Sequence, residues 1–425
     1  MSGALASPAR RGPGPGRCCA GVAPALALLA GCSMLEPAAP VASAPVASTP
    51  PPDPIRVEPP LALPGEVDVR LAALSGSAAL VVEGAREGSV ELRAEGTAVV
   101  DAAGRRAERV ELRAREPAGL CLAGSLYPGV LIVEAGARGL EVTSRVPLEE
   151  YVTGVVAAEL SLWSAEPAEL EAQAIAARTY AVRRLEHARS LVDGTGDQVY
   201  RGRFRAGSSA GARRVAAELE RAVRATRGCV LVLEGKPIDA RFHAACGGRT
   251  ARIEDVFSRS AVAGRGPLPV DCDPCRARVE AELGRGEVDR RGPLAWSWTA
   301  SSEDLGRAAS RLGLGERLLR FSPARIDAGG RWLEVTLEGA RATRRISFEE
   351  LRAVLGPDDL KSARIARTWP RPGSAIEGGL AFQGVGRGHG VGLCQEGARD
   401  YARRGWSAER ILAHYYPGSR VACGG

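Results

Sequence analysis

The chain has 425 residues and a mass of 44.4 kDa, beyond the roughly 100–200 residues of one ordinary domain, which predicts more than one folded unit and excludes a small disulfide knot. Hydrophobic residues at 45% and charged residues at 25% are ordinary globular usage and exclude an intrinsically disordered chain, and no late apolar run is long enough to span a bilayer. The formal net charge is +7, but only Lys236 and Lys361 are lysines and the arginines are scattered among 50 acids. That is no basic stripe, so no nucleic-acid partner is expected.

Arg10, Arg11 and Arg17 precede a short apolar run from Cys18 to Ala30 that closes in Leu28-Leu29-Ala30-Gly31-Cys32, the pattern of an export signal. Small residues before a cysteine resemble the lipobox of bacterial lipoproteins. Residues 1–32 are therefore expected to be a lipoprotein signal peptide, with Cys32 the lipidation site that anchors an exported protein to a bacterial membrane in the cell envelope; an ordinary cleaved signal is the alternative. Residues 33–65 are rich in Ala, Pro, Ser and Val and include Pro50-Pro51-Pro52. Such a segment favours extended polyproline-type conformations and builds no core, so it is expected to be a tether reaching up to about 90 Å.

Residues 66–145 alternate apolar and polar positions in short runs, as in Val67, Val69, Leu71 and Leu131, Val133, which predicts a small β-rich domain. Residues 146–425 begin with two helical stretches and continue through strands near Cys229–Leu233 and 238–243 to a glycine-rich region and further helices. Strands and helices segregate, so the fold class is α+β.

In VPLEEYVTGVVAAEL, the residues Leu148, Tyr151, Val152, Val155, Val156 and Leu160 form one helical stripe. Glu159 falls on that stripe and Glu150 opposite it. Burial disfavours a carboxylate and raises its pKa, which keeps a glutamate protonated for general-acid work. The plainer reading is a structural glutamate paired with an arginine such as Arg178. The next helix begins near Pro167, with Glu169 and Glu171 early and Arg183 and Arg184 late, complementing the helix dipole. Its segment AQAIAARTYAV is mostly small and suits close packing, with Gln173, Arg178 and Tyr180 as candidate site residues.

The ordered set VPLEEYVTGVVAAEL, AQAIAARTYAV, GDQVYRG, FHAACGGRT, GRGHGVGLCQEGA and ILAHYYPGS resembles the SpoIID/LytB domain family from about Val146 to the C-terminus. The resemblance implies a peptidoglycan lytic transglycosylase that cuts glycan strands, preferentially those stripped of stem peptides, or a non-catalytic glycan-binding module that stimulates a cell-wall amidase. It makes Glu159 the catalytic acid and base, giving 1,6-anhydro-muramic ends with no cofactor in the chemical step. It also implies that Asp197, Gln198 and Tyr200 line the groove, and that His389 and Gln395 contact substrate.

Glycines at 384, 386, 388, 390 and 392 predict an extended strand with one bare face and Arg387 and His389 on the other, suited to a flat sugar ring or to tight packing. Of ten cysteines, Cys18, Cys19 and Cys32 belong to the signal, which leaves seven, too odd a number for disulfides alone. His243, Cys246, Cys272 and Cys275 supply a Cys₃His set suited to structural zinc, with Cys394 as a substitute for His243. Some relatives in the resembled family carry zinc near this position; disulfides are the competing reading in an oxidising compartment. Ser407 and Pro417-Gly418 bracket a short helix from Ala408 to Tyr416, whose aromatics are expected to fill core.

Overall fold

The computed structural model describes residues 61–115, 119–194, 196–257, 266–283 and 294–424. The expected signal peptide, Cys32 and the expected tether up to residue 60 lie outside the described residues. The architecture is α+β.

Residues 66–147, joined by strand Leu191–Val192, build two sheets. One runs Leu191–Val192, Glu66–Arg70, Gly139–Pro147, Val130–Gly136, Arg109–Arg113, and the other runs Arg106–Ala107, Ala98–Asp101, Gly88–Glu95, Ala79–Ala85, Leu120–Leu122, Ser125–Tyr127. Along Gly139–Pro147 every second side chain is buried, from Leu140 to Val146, so this strand has one face on the core. It passes at Pro147 directly into helix α1 (Leu148–Glu159), followed by α2 (Pro167–Leu185) and α3 (Ala210–Ala225). Val69, Leu131, Val142, Tyr151, Val155, Ala177 and Leu219 belong to one apolar cluster. The β-rich region thus shares its core with the helices, and residue 146 marks a change of secondary structure rather than a break in packing.

Helix α2 is closed at its start by a reciprocal capping box between Glu166 and Glu169, with Pro167 in the first turn. Ala174, Ala177 and Ala181 face the first core, while Ala172, Ile175 and Ala176 face a second core built with the cysteines and the C-terminal helices. A helix apolar on both sides is a buried helix, and the alanines let both cores approach its backbone.

The remaining helices are α4 (Ile253–Val256), α5 (Asp273–Leu283), α6 (Ser302–Arg311), α7 (Phe348–Leu355), α8 (Gln395–Arg403) and α9 (Ala408–Tyr415). Ser301, Ser347 and Ser407 cap α6, α7 and α9 through their side-chain oxygens. Two three-stranded sheets between residues 295 and 385 pack with α6 and α7 around Trp296, Phe321, Trp332, Leu351 and Phe382. This third core lies within the segment that the sequence reads as one unit with the rest of 146–425.

Strand Cys229–Leu233 pairs antiparallel with Arg420–Cys423, and a disulfide joins Cys229 to Cys423. Leu61 and Leu63 pack on Val230, Val232 and Ala422, so the fold already begins within the last residues of the expected tether. Tyr415 and Tyr416 are buried and fill core as expected. Among the described residues, no helix is long and apolar enough to cross a membrane.

Candidate active site

Glu159 is the last residue of α1 and opens into a cavity of about 400 Å³, within the size range of small-ligand sites. Its stripe neighbours Tyr151, Val152, Val155 and Val156 are fully buried, so the carboxyl sits at the end of an apolar face. Burial raises its pKa above the ordinary carboxyl value, opposed by hydrogen bonds from the Val199 backbone N–H at 2.8 Å and from the Gln395 side chain. Desolvation dominates. Glu150 points the other way and pairs with Arg203 at 3.2 Å.

The Val199 N–H is held in place from α2. Tyr180 Oη and Arg184 Nε donate to Asp197 Oδ1 at 2.8 and 2.9 Å, and the Val192 N–H donates to Oδ2 at 2.9 Å. Asp197 thereby fixes the segment that delivers Val199 to Glu159. On the other side, Gln395 Nε2 faces Gln173 Oε1 at 3.5 Å, so the amide that reaches Glu159 rests on a buried residue of α2.

The expected extended glycine strand is not formed. The strand ends at Val385, and Gly386, Gly388, Gly390 and Gly392 all have φ between 75° and 87°, left-handed backbone that winds rather than extends. A Cβ at Gly392 would lie 2.0 Å from the Arg241 carbonyl oxygen, and one at Gly386 would lie 2.6 Å from that of Ala245. The glycines serve close backbone packing.

This winding path orients two imidazoles through Val391. The Val391 N–H donates to His389 Nδ1 at 3.1 Å, and His243 Nδ1 lies 3.1 Å from the Val391 carbonyl oxygen. The rings stand 5.6 Å apart, with Phe257 5.1 Å from His389. Burial holds both imidazoles neutral, with His243 pushed down to about 3 and His389 well below its ordinary value.

Of the expected substrate contacts, Tyr180, Gln198 and His389 line the cavity with Glu159. The Gln198 amide is already engaged, accepting from Tyr151 Oη at 2.9 Å and donating to the Ala177 carbonyl at 3.3 Å. Gln173 and Gln395 stand behind Glu159. Three expected contacts lie away from this cavity. Arg178 is fully buried and forms a bidentate pair with Glu149 at 2.6 and 2.9 Å, so it neither meets substrate nor neutralises Glu159. Tyr200 is core, its ring 5.1 Å from Tyr151 and packed where a Cβ on Gly154 would lie. Arg387 is exposed and does not line the cavity.

Sequence reasoning missed the other wall, formed by Arg241, Phe257, Glu349 and Arg352. The Arg241 guanidinium lies 4.0 Å over the Phe257 ring. Arg352 donates to Glu349 Oε2 at 2.6 Å and to the carbonyls of Leu360 and Lys361. These residues come from distant parts of the chain, and no local pattern marks them.

Cys246, Cys272, Cys275 and Cys394 are buried with their sulfurs all within 4.8 Å of one another. His243 is not in this group, and its Nδ1 lies 3.1 Å from the Val391 carbonyl oxygen; Cys394 takes the fourth place. Backbone N–H groups of Cys246 and Gly397 point at Cys394 Sγ at 3.2 and 3.4 Å, that of Gly248 at Cys246 Sγ at 3.3 Å, and Tyr415 Oη lies 3.2 Å from Cys272 Sγ. Four thiols ringed by donors match the ligand set of a closed tetrahedral zinc site. Cys229 and Cys423 form the disulfide, and Cys121 is free.

Residues 137–233 match the family described as SpoIID, Stage II sporulation protein. An uncharacterized protein of Brachyspira hyodysenteriae is 30% identical over 312 residues, covering 71% of this chain and 73% of that relative. Stage II sporulation protein D of Bacillus amyloliquefaciens is 30% identical over 288 residues, covering 65% and 74%. This chain belongs to the SpoIID/LytB family. The amidase enhancer of Bacillus subtilis is 26% identical over 302 residues, covering 63% of this chain and 40% of that relative.

Because its folded-state pKa is raised, the Glu159 carboxyl favours the fold when protonated; that contribution is present below the ordinary carboxyl pKa and is lost as pH rises through the raised value. Glu159→Gln, which imitates the protonated group, is expected to melt about 1–3 °C above the native chain at pH 8, the gap closing near pH 4. A gap that does not change with pH would contradict the assignment.

Proposed function

We propose that this SpoIID/LytB family member is a peptidoglycan lytic transglycosylase with Glu159 as general acid and base. The observation that carries the reading is a glutamate at the end of a buried apolar helix face that lines a cavity able to admit a sugar, where desolvation raises its pKa. In the first step the Glu159 proton passes to the glycosidic oxygen between muramic acid and glucosamine, and the C1–O bond breaks. The carboxylate then takes the proton of the muramic 6-hydroxyl as O6 bonds to C1, which leaves a 1,6-anhydro end and restores the acid without water. The Val199 N–H and the Gln395 amide orient the carboxyl, and neutral His389 and His243 line the cavity without adding charge. Phe257 offers an apolar face to the ring. A second reading, a glycan-binding activator of a cell-wall amidase, draws on the relative named amidase enhancer.

The cluster of Cys246, Cys272, Cys275 and Cys394 is proposed to hold a structural zinc. Four buried thiolates so close together repel one another, so deprotonating all four sulfurs calls for a cation. With four protein ligands the metal has no open position for chemistry. Its role is to brace α5 and α8, and with α8 the Gln395 that reaches Glu159. The export signal and Cys32, outside the described residues, suit a lipoprotein held in the cell envelope.

Mass spectrometry of stripped and peptide-bearing glycan strands after incubation with the protein tests the chemistry. Anhydro-muramic ends are expected with the native chain, and about 10²–10⁴-fold fewer with Glu159→Gln. If neither protein produces them, the amidase-activating reading takes over.

Elemental analysis of the purified protein is expected to give one zinc per chain. Cys394→Ser loses it and His243→Ala keeps it; retention by the first and loss by the second would restore the histidine as ligand.

A further inference from the structure

We propose that Trp163 is a stacking platform for a further sugar of the glycan strand, outside the Glu159 cavity. This rests on the glycan reading of the site and names where the strand continues. Trp163 lies four residues after Glu159, on the short turn Leu162–Ser164, and is 70% exposed, which leaves most of its ring open to a ligand.

The indole is not loose. In the first turn of α3, a Cβ at Gly211 would lie 3.1 Å from its Cζ3 and 3.4 Å from its Cη2. The bare backbone there lets the ring rest against α3, and the exposed remainder faces solvent. Beside it is a second cavity of about 580 Å³, lined by Ala157, Leu160, Phe204, Ser161, Ser208 and Arg205 among others.

Ala157 and Leu160 flank Glu159 at the end of α1, so both cavities share that turn. A polymer held with one glycosidic bond at Glu159 extends beyond that cavity on both sides of the bond, and the cavity beside Trp163 opens at the same end of α1. The ligand class follows from the lining. A pyranose ring offers an apolar C–H face to an aromatic ring, its hydroxyls meet Ser161 and Ser208, and the carboxylate of a stripped muramic residue complements Arg205. Trp163 is thus a binding residue that sets strand-length preference, separate from the chemical step.

The test is steady-state kinetics of the full chain, Trp163→Ala and Trp163→Phe on stripped strands of graded length, with melting temperatures measured in parallel. Trp163→Ala is expected to raise KM about tenfold for long strands, to leave kcat unchanged, and to leave a tetrasaccharide unaffected; Trp163→Phe restores most of the loss. An unchanged KM on long strands, or an equal loss at every length, overturns the platform. If the native chain cuts nothing, cosedimentation with insoluble stripped glycan replaces kinetics. A tenfold binding loss in Trp163→Ala then upholds the platform while the catalytic reading falls. Unchanged glycan binding overturns it, as does unchanged glycan binding with lost stimulation of an amidase, which would make the surface a protein contact. Should Trp163→Ala fail to fold, Trp163→Gln supplies the same comparison.

Discussion

One helix belongs to two cores, and the site depends on that. The alanines of α2 bury one side against α1 and the first sheet and the other against the cysteine-bearing C-terminal elements. The polar side chains that α2 buries are then best placed against partners inside the protein. Arg178 finds Glu149, Tyr180 finds Asp197, and Gln173 meets Gln395. The last two contacts bear on Glu159, one through the backbone of Val199 and the other through the Gln395 amide. The position of the carboxyl is thus a consequence of packing on a helix that does not itself carry it.

The same arrangement separates three roles that carboxylates could share. Asp197 is saturated by Tyr180, Arg184 and a backbone N–H, and Glu349 is held by Arg352. Glu159 has no cationic partner among its pKa-determining contacts and lies where burial dominates. An acid needs to keep its proton until the leaving oxygen arrives, and burial at Glu159 favours that.

Much of this was legible in the sequence because it rests on local periodicity. The α1 stripe located Glu159, and the proline and charge pattern located α2. The cysteine spacing located the cluster, since Cys272-x-x-Cys275 is a local signal. What could not be read depends on distant contacts. Arg178 reads as a site residue in sequence, but Glu149 stands opposite it, and Tyr200 likewise, but Gly154 leaves room for its ring in the core. The alternating glycines predict a strand by period alone, whereas the close approach of Arg241 and Ala245 imposes left-handed backbone. The third core between residues 295 and 385, which delivers Glu349 and Arg352, carries no local mark of its meeting with Glu159.

Burial keeps the Glu159 carboxyl protonated beyond the ordinary range. The most direct measurement is a carbon-13 NMR titration of glutamate side-chain carboxyls in the full chain, with the Glu159 resonance assigned by its absence from Glu159→Gln. This resonance is expected to titrate above the ordinary glutamate value. A Glu159 resonance that titrates at or below the ordinary value would contradict this.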